Sequence, residues 1–128
     1  MMKLTATQIR CLLAVYALAY PEADGPEREV ASKDVARLLG VSGPSVHRAL
    51  DILIREGLLE KEHYGAPCLT QLGRETAEQC AAYKENLMRV FTNQFGLVGE
   101  EGGAAAILLM SGLTEESLHK IETCAGQR

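Results

Sequence analysis

The 128-residue chain has no Trp, two Phe and four Tyr, so its core cannot rest on aromatic slabs. It must be built from Leu, Val, Ile and Ala, which leans helical. Long hydrophobic runs are missing too. The longest apolar stretch, Gly102 to Leu113, is twelve residues, against the ~20 that a membrane-spanning helix needs. A soluble, cytoplasmic chain with no membrane partner is expected. Excess positive charge is also absent: the formal net charge is −4 and the pI about 5.4. That argues against broad polyanion binding, which depends on many Lys and Arg neutralising phosphates, but leaves room for a local basic edge. No Gly-rich phosphate loop, no pair of acids assignable to a cleft and no Cys/His nucleophile signature is present, so the chain is not expected to be an enzyme. What it does have, 47% apolar and 23% charged residues, is ordinary for one globular domain or a small domain with an interaction arm.

Lys3, Arg10 and the apolar run from Cys11 to Ala19 have the charge order of a secretory signal. The same run carries helical spacing, with Ile9, Leu12, Leu13, Tyr16 and Ala17 on one face, and reads as a structural first helix. The cysteines, Cys11, Cys68, Cys80 and Cys124, form no C-x-x-C pair and lie in apolar contexts. Buried free thiols in a reducing compartment are expected rather than a disulfide framework.

Two prolines and a glycine between Pro21 and Glu27 make a loop. Ser32 is placed to N-cap a short helix over Lys33 to Leu39, with Val35, Ala36 and Leu39 inward and Gly40 as its left-handed stop. Ser42 caps a second helix, with Pro44 in the first turn where its missing N–H costs nothing. That helix runs to Glu56 and ends at Gly57. Val46, Ala49, Leu50, Leu53 and Ile54 make its apolar stripe, leaving Ser45, His47, Arg48, Asp51 and Arg55 toward solvent. Residues 58–63 and 68–70 predict two short strands joined by a Gly-containing turn that includes Pro67. From a cap at Thr70 a long helix is expected to about Gln94, closed by Gly96. Two shorter ones follow: Ala104 to Met110, entered through Glu100 to Gly103 and broken at Ser111-Gly112, and Leu118 to about Cys124, preceded by a capping-box-like Thr114 with Ser117.

Helix, short helix, glycine turn, helix with a polar outer edge, then hairpin is the order of a winged helix-turn-helix. Its second helix must keep the first turns free of bulky apolar groups to enter a major groove ~12 Å wide. Ser42-Gly43-Pro44-Ser45-Val46-His47-Arg48 meets that demand. Arg48 can offer a bidentate fork to guanine, His47 and Ser45 are smaller donors, and Ser42 with neighbouring N–H groups suits a phosphate. Lys61 and His63 on the hairpin are placed to touch the flanking backbone. The bland alternative makes Arg48 and Arg55 a solvated edge paired with Asp51.

Val35 to Val46, the Glu56-Gly57-Leu58 helix end, and Leu69-Thr70 with Gly73-Arg74 resemble the iron-dependent repressors, the group of the diphtheria toxin repressor and the manganese transport regulators. The resemblance spans residues ~7–122 and implies a mainly α fold. A winged helix-turn-helix head with a small β-hairpin wing occupies 1–73, and an α-helical dimerisation region occupies 74–128, in the short form that lacks an SH3-like domain. It puts Ser42, Pro44, Ser45, His47 and Arg48 at DNA-reading positions, and implies a homodimer on a palindromic double-stranded operator. It also places Arg10, Leu13, Lys84, Ala104, Ile107 and Leu108 where the family carries metal ligands. Alkyl chains have no lone pair and cationic groups repel a divalent ion, so no Fe(II) or Mn(II) activation and no cofactor are expected.

The tail's Leu87, Met88, Phe91, Phe95, Ile107, Leu108 and Leu109 present more apolar surface than short helices can cover, which predicts pairing with a second copy. The expected function is a DNA-binding regulator, a repressor by resemblance. Two alternatives stay open. One is a winged-helix module that binds protein, supported by nine basic against ten acidic residues through Glu75. The other is a regulator that senses oxidants through Cys11 or Cys80.

Overall fold

A computed structural model describes residues 3–22, 24–61 and 66–126. The element order is α1 (Ala6–Ala19), α2 (Ser32–Leu39), α3 (Gly43–Arg55), β1 (Leu59–Lys61), β2 (Pro67–Leu69), α4 (Gln71–Phe95), α5 (Gly99–Gly112) and α6 (Glu115–Gly126). The protein is mainly helical with a two-stranded antiparallel hairpin, a winged-helix fold. The chain divides into two units, Arg10–Ala77 and Met1–Ile9 with Glu78–Arg128, the division falling inside α1 and α4. No helix among the described residues is long and apolar enough to cross a membrane.

In the Arg10–Ala77 unit, α2 ends on Gly40 at φ 66°, as the sequence requires. Its start differs. Ala31, not Ser32, is the cap residue, and no side chain caps the helix. The N–H groups of Asp34 and Val35 both reach the Ala31 carbonyl, so the first turn begins as soon as the chain leaves the buried Val30. α3 follows expectation: Val46, Ala49, Leu50 and Leu53 are buried, Ile54 and Ser45 are half-buried, and His47, Arg48, Asp51 and Arg55 are exposed. The α1 face differs from its reading. Cys11, Ala14, Val15 and Ala19 are buried along with Ile9 and Leu12, while Ala17 is exposed. Such broad burial blurs the single stripe that periodicity assumes.

The strands pair Leu59 with Leu69, Glu60 with Cys68 and Lys61 with Pro67. Pro67 therefore opens β2 rather than belonging to the turn, a position where its missing N–H is tolerated. Thr70 joins this hairpin to α4. Its hydroxyl donates to the Gly57 carbonyl at 2.6 Å and accepts the Gly73 N–H at 3.0 Å, capping the helix. Gly73 is required here, because a Cβ at that position would overlap the Leu58 carbonyl oxygen. Arg74 stacks 4.5 Å from the Tyr20 ring centroid, tying the end of α1 to the start of α4.

In the other unit, α5 begins at Gly99 and continues through Ser111 to Gly112, longer at both ends than the sequence predicts. Gly102 and Gly103 are buried within it. A Cβ on Gly102 would meet the Leu97 carbonyl oxygen at 3.3 Å, and one on Gly103 would meet Lys84 Cε at 3.3 Å. Close packing thus offsets the entropic cost of glycine in a helix. Ser111 does not break α5, since its hydroxyl bonds back to the Leu108 carbonyl at 2.9 Å. α6 starts three residues before the expected Leu118 because Thr114 accepts the Ser117 N–H at 3.2 Å and acts as the cap. Asn86 on α4 donates to Glu122 on α6 at 2.6 Å.

Candidate nucleic-acid interface

The start of α3 is organised by three side chains one turn apart. Ser42, in extended conformation with φ −69° and ψ 153°, accepts the Ser45 N–H at 3.3 Å. Its hydroxyl donates to Ser45 Oγ at 3.0 Å. Arg48 Nη2 donates to the same Ser45 oxygen at 3.4 Å. Pro44 occupies the first turn, and Pro44, His47 and Arg48 are exposed. The opposite side of α3 is buried through Val46, Leu50 and Leu53. The resulting edge is polar, protruding and anchored.

The ion pairs of the bland alternative are not formed. Among the described residues Arg48, Asp51 and Arg55 enter no ion pair, and Arg48 bonds to Ser45 instead. Sequence reasoning named Ser45 and Arg48 separately as donors and missed their contact, although i,i+3 spacing on a helix carries that signal. Elsewhere in the unit, Arg10 Nη2 donates to the Leu39 carbonyl at 3.3 Å, a cation at the C-terminus of α2. Arg37 pairs with Asp34 at 3.6 Å. Lys61 is exposed on β1, while His63 lies outside the described residues.

The apolar residues expected to form a pairing surface separate into three sets. Leu87 and Ile107 are 0% and 6% exposed, already covered within the single chain, so they cannot supply open surface as the sequence reading had it. Met88, Phe91 and Leu109 are half-buried. Phe95 and Leu108 are 70% and 63% exposed, and Val98, which sequence reasoning passed over, is 64% exposed. Val98 sits in a short connection where periodicity carries no signal.

The donor set does not suit a divalent cation. At the positions that the resemblance aligns with metal ligands, Arg10 is committed to Leu39, Leu13 is half-buried, Lys84 Cε lies over Gly103, and Ala104, Ile107 and Leu108 offer only alkyl groups. Among the described residues no three His, Cys, Asp or Glu side chains lie close enough to hold a metal ion. The thiols differ from the expectation of uniform burial: Cys11 and Cys80 are buried, Cys68 is half-buried and Cys124 is exposed. Burial pushes the Cys11 thiol up, partly opposed by Arg10, and pushes Cys80 up to about 11. Both shifts disfavour the thiolate form that oxidant sensing uses.

Residues 3–65 match the family model described as MarR family. Among solved structures, the chain is similar to the manganese regulator SloR, at 16% identity and TM-score 0.74, with 99% of this chain and 56% of that one covered. It is also similar to IdeR of T. acidophilum, at 20% identity and TM-score 0.65, covering 98% and 56%. ScaR with bound Zn2+ matches at 23% identity and TM-score 0.66, covering 94% and 54%. The chain therefore spans about half the length of the solved structures it matches, and the likeness is one of fold. No curated protein sequence matches it. The sequence resemblance placed residues ~7–122 with the iron-dependent repressors, whereas the family model that matches residues 3–65 is that of MarR. Both readings are winged-helix, and the residues that carried the resemblance are in large part the pattern of that fold.

Proposed function

We propose that this protein is a sequence-specific DNA-binding transcription regulator, a repressor acting in the cytoplasm as a homodimer on a palindromic double-stranded operator. Residues 1–73 form the reading head in this proposal and residues 74–128 the pairing region. The observation that carries it is the α3 edge: a Ser42-capped start, Arg48 and His47 exposed, and the opposite face buried. Arg48 reads a guanine, His47 and Ser45 contact neighbouring acceptors, Ser42 and Pro44 bring the first turn against the phosphates, and Lys61 and His63 reach the flanking backbone. Two copies set their α3 helices ~34 Å apart, one turn of DNA. The fold likeness to metal regulators and the MarR family match support a regulator. The donor chemistry supports one that does not use Fe(II) or Mn(II) as its signal.

The test is binding to DNA selected from a random pool, followed across a salt series. A reader of this kind loses affinity linearly in log salt, and Arg48→Ala costs ~1–3 kcal/mol at one base position. Micromolar Mn(II) leaves operator affinity and melting temperature unchanged; a shift of several degrees would overturn metal independence. The near-balance of basic and acidic residues in the head, nine against ten through Glu75, favours a second reading as a protein-binding winged helix. That reading gains if Arg48→Ala and salt leave partner binding unaltered.

A further inference from the structure

Ser45 is half-buried, and its hydroxyl oxygen receives two donors, the Ser42 hydroxyl at 3.0 Å and Arg48 Nη2 at 3.4 Å. A serine hydroxyl has two lone pairs and one proton. With both lone pairs engaged, the Ser45 oxygen has no acceptor capacity left, and its own proton is the group free to meet a ligand. Ser42 is engaged differently, accepting the Ser45 N–H while donating its proton to Ser45, which ties the two hydroxyls together at the start of the helix. The Arg48 guanidinium has no carboxylate partner among the described residues. Its contact with Ser45 is thus what orients its planar fork, one turn from the start of α3.

We propose that Ser45 is a positioning residue for Arg48, and that the guanidinium fork it holds makes this part of the exposed α3 edge selective for the acceptor edge of guanine. The inference rests on the DNA-reading function proposed above and adds the source of its selectivity. Guanine presents N7 and O6, both acceptors, in the major groove, whereas adenine adds an N6 donor and cytosine offers an N4 donor. Two guanidinium N–H groups held side by side match N7 and O6, and the guanidinium itself brings no acceptor to the amino groups of the others. An unheld arginine fork would still attract phosphate and purine edges, but with less discrimination between them.

Ser45→Ala removes the oxygen and keeps the backbone N–H that Ser42 caps, so α3 retains its N-terminal hydrogen bond. Ser45→Thr keeps the hydroxyl. The first readout uses the free protein: 15N NMR of the Arg48 guanidinium should show hindered rotation in the wild type and Ser45→Thr, and free rotation in Ser45→Ala. Equal mobility in wild type and Ser45→Ala would overturn the positioning role without touching the proposed function. The second readout is the ratio of affinities for the selected site and for sites with its guanines replaced one at a time. Ser45→Ala should lower that ratio about 3- to 10-fold at one guanine, Ser45→Thr should restore it, and Arg48→Ala should lower it further at the same base. A wild type that binds its site while Ser45→Ala keeps the full ratio would overturn the inference alone. A wild type that binds no DNA in low salt would overturn the proposed function, and the guanine selectivity with it.

Discussion

Arg48 has Ser45 and Asp51 within helical reach, and takes the neutral hydroxyl over the carboxylate. An exposed ion pair gains little over two solvated charges, so the weak choice between these partners is set by rotamer and local geometry, which spacing alone does not resolve. Cys80 makes a similar point about burial. Nothing in its flanking sequence separates it from Cys124, yet one is buried with its thiol pushed up to about 11 and the other is exposed. Because the folded-state pKa lies above the unfolded one, Cys80 remains protonated where the unfolded thiol ionises. The resulting stability is complete below pH ~9 and is lost as pH rises from there toward 11. Urea unfolding from pH 8 to 11 should show a fall of about 2 kcal/mol attributable to this group. Cys80→Ala should flatten that part of the profile. In native protein a thiol reagent should label Cys124 rapidly while Cys11 and Cys80 resist.

Several helix ends were legible from local signals, although the Ser32 cap of α2 and the Ser111 break of α5 were not borne out. Ser42, Gly40, Thr70 and Gly96 act as the sequence predicts, because a capping hydrogen bond or a left-handed stop involves residues within one turn. Boundaries governed by distant contacts were not legible in that way. α5 passes through Gly102 and Gly103 because packing against Leu97 and Lys84 favours close backbone approach there. Gly73 is the sharpest case: the constraint comes from the Leu58 carbonyl, fifteen residues earlier in the chain. Gly73→Ala should displace the start of α4 from the hairpin and cost ~1–3 kcal/mol or more, as overpacking does. Chemical denaturation measures it. Gly43→Ala is the control, because a Cβ at Gly43 meets nothing within 4 Å.

The open apolar surface of the tail, which the proposed pairing would use, is what the residue list alone most misjudges. Seven apolar side chains in the tail look alike by type and spacing, but Leu87 and Ile107 are consumed by the chain's own core while Phe95 and Leu108 stay open. If the proposed homodimer forms through this open set, Phe95→Glu with Leu108→Glu should convert it to a monomer in light scattering with little change in helical circular dichroism. A double variant that remains dimeric would place the interface elsewhere. From the linear chain follow the helical class, the winged order of elements, the capped start of α3 and the poor fit to metal ligation, because each depends on residue type or on neighbours within a turn. Which apolar residues are covered, which glycine meets a carbonyl, which thiol is silenced and which partner Arg48 takes depend on groups brought together by folding. Burial and contact distance are properties of that packing, and no spacing along the chain encodes them.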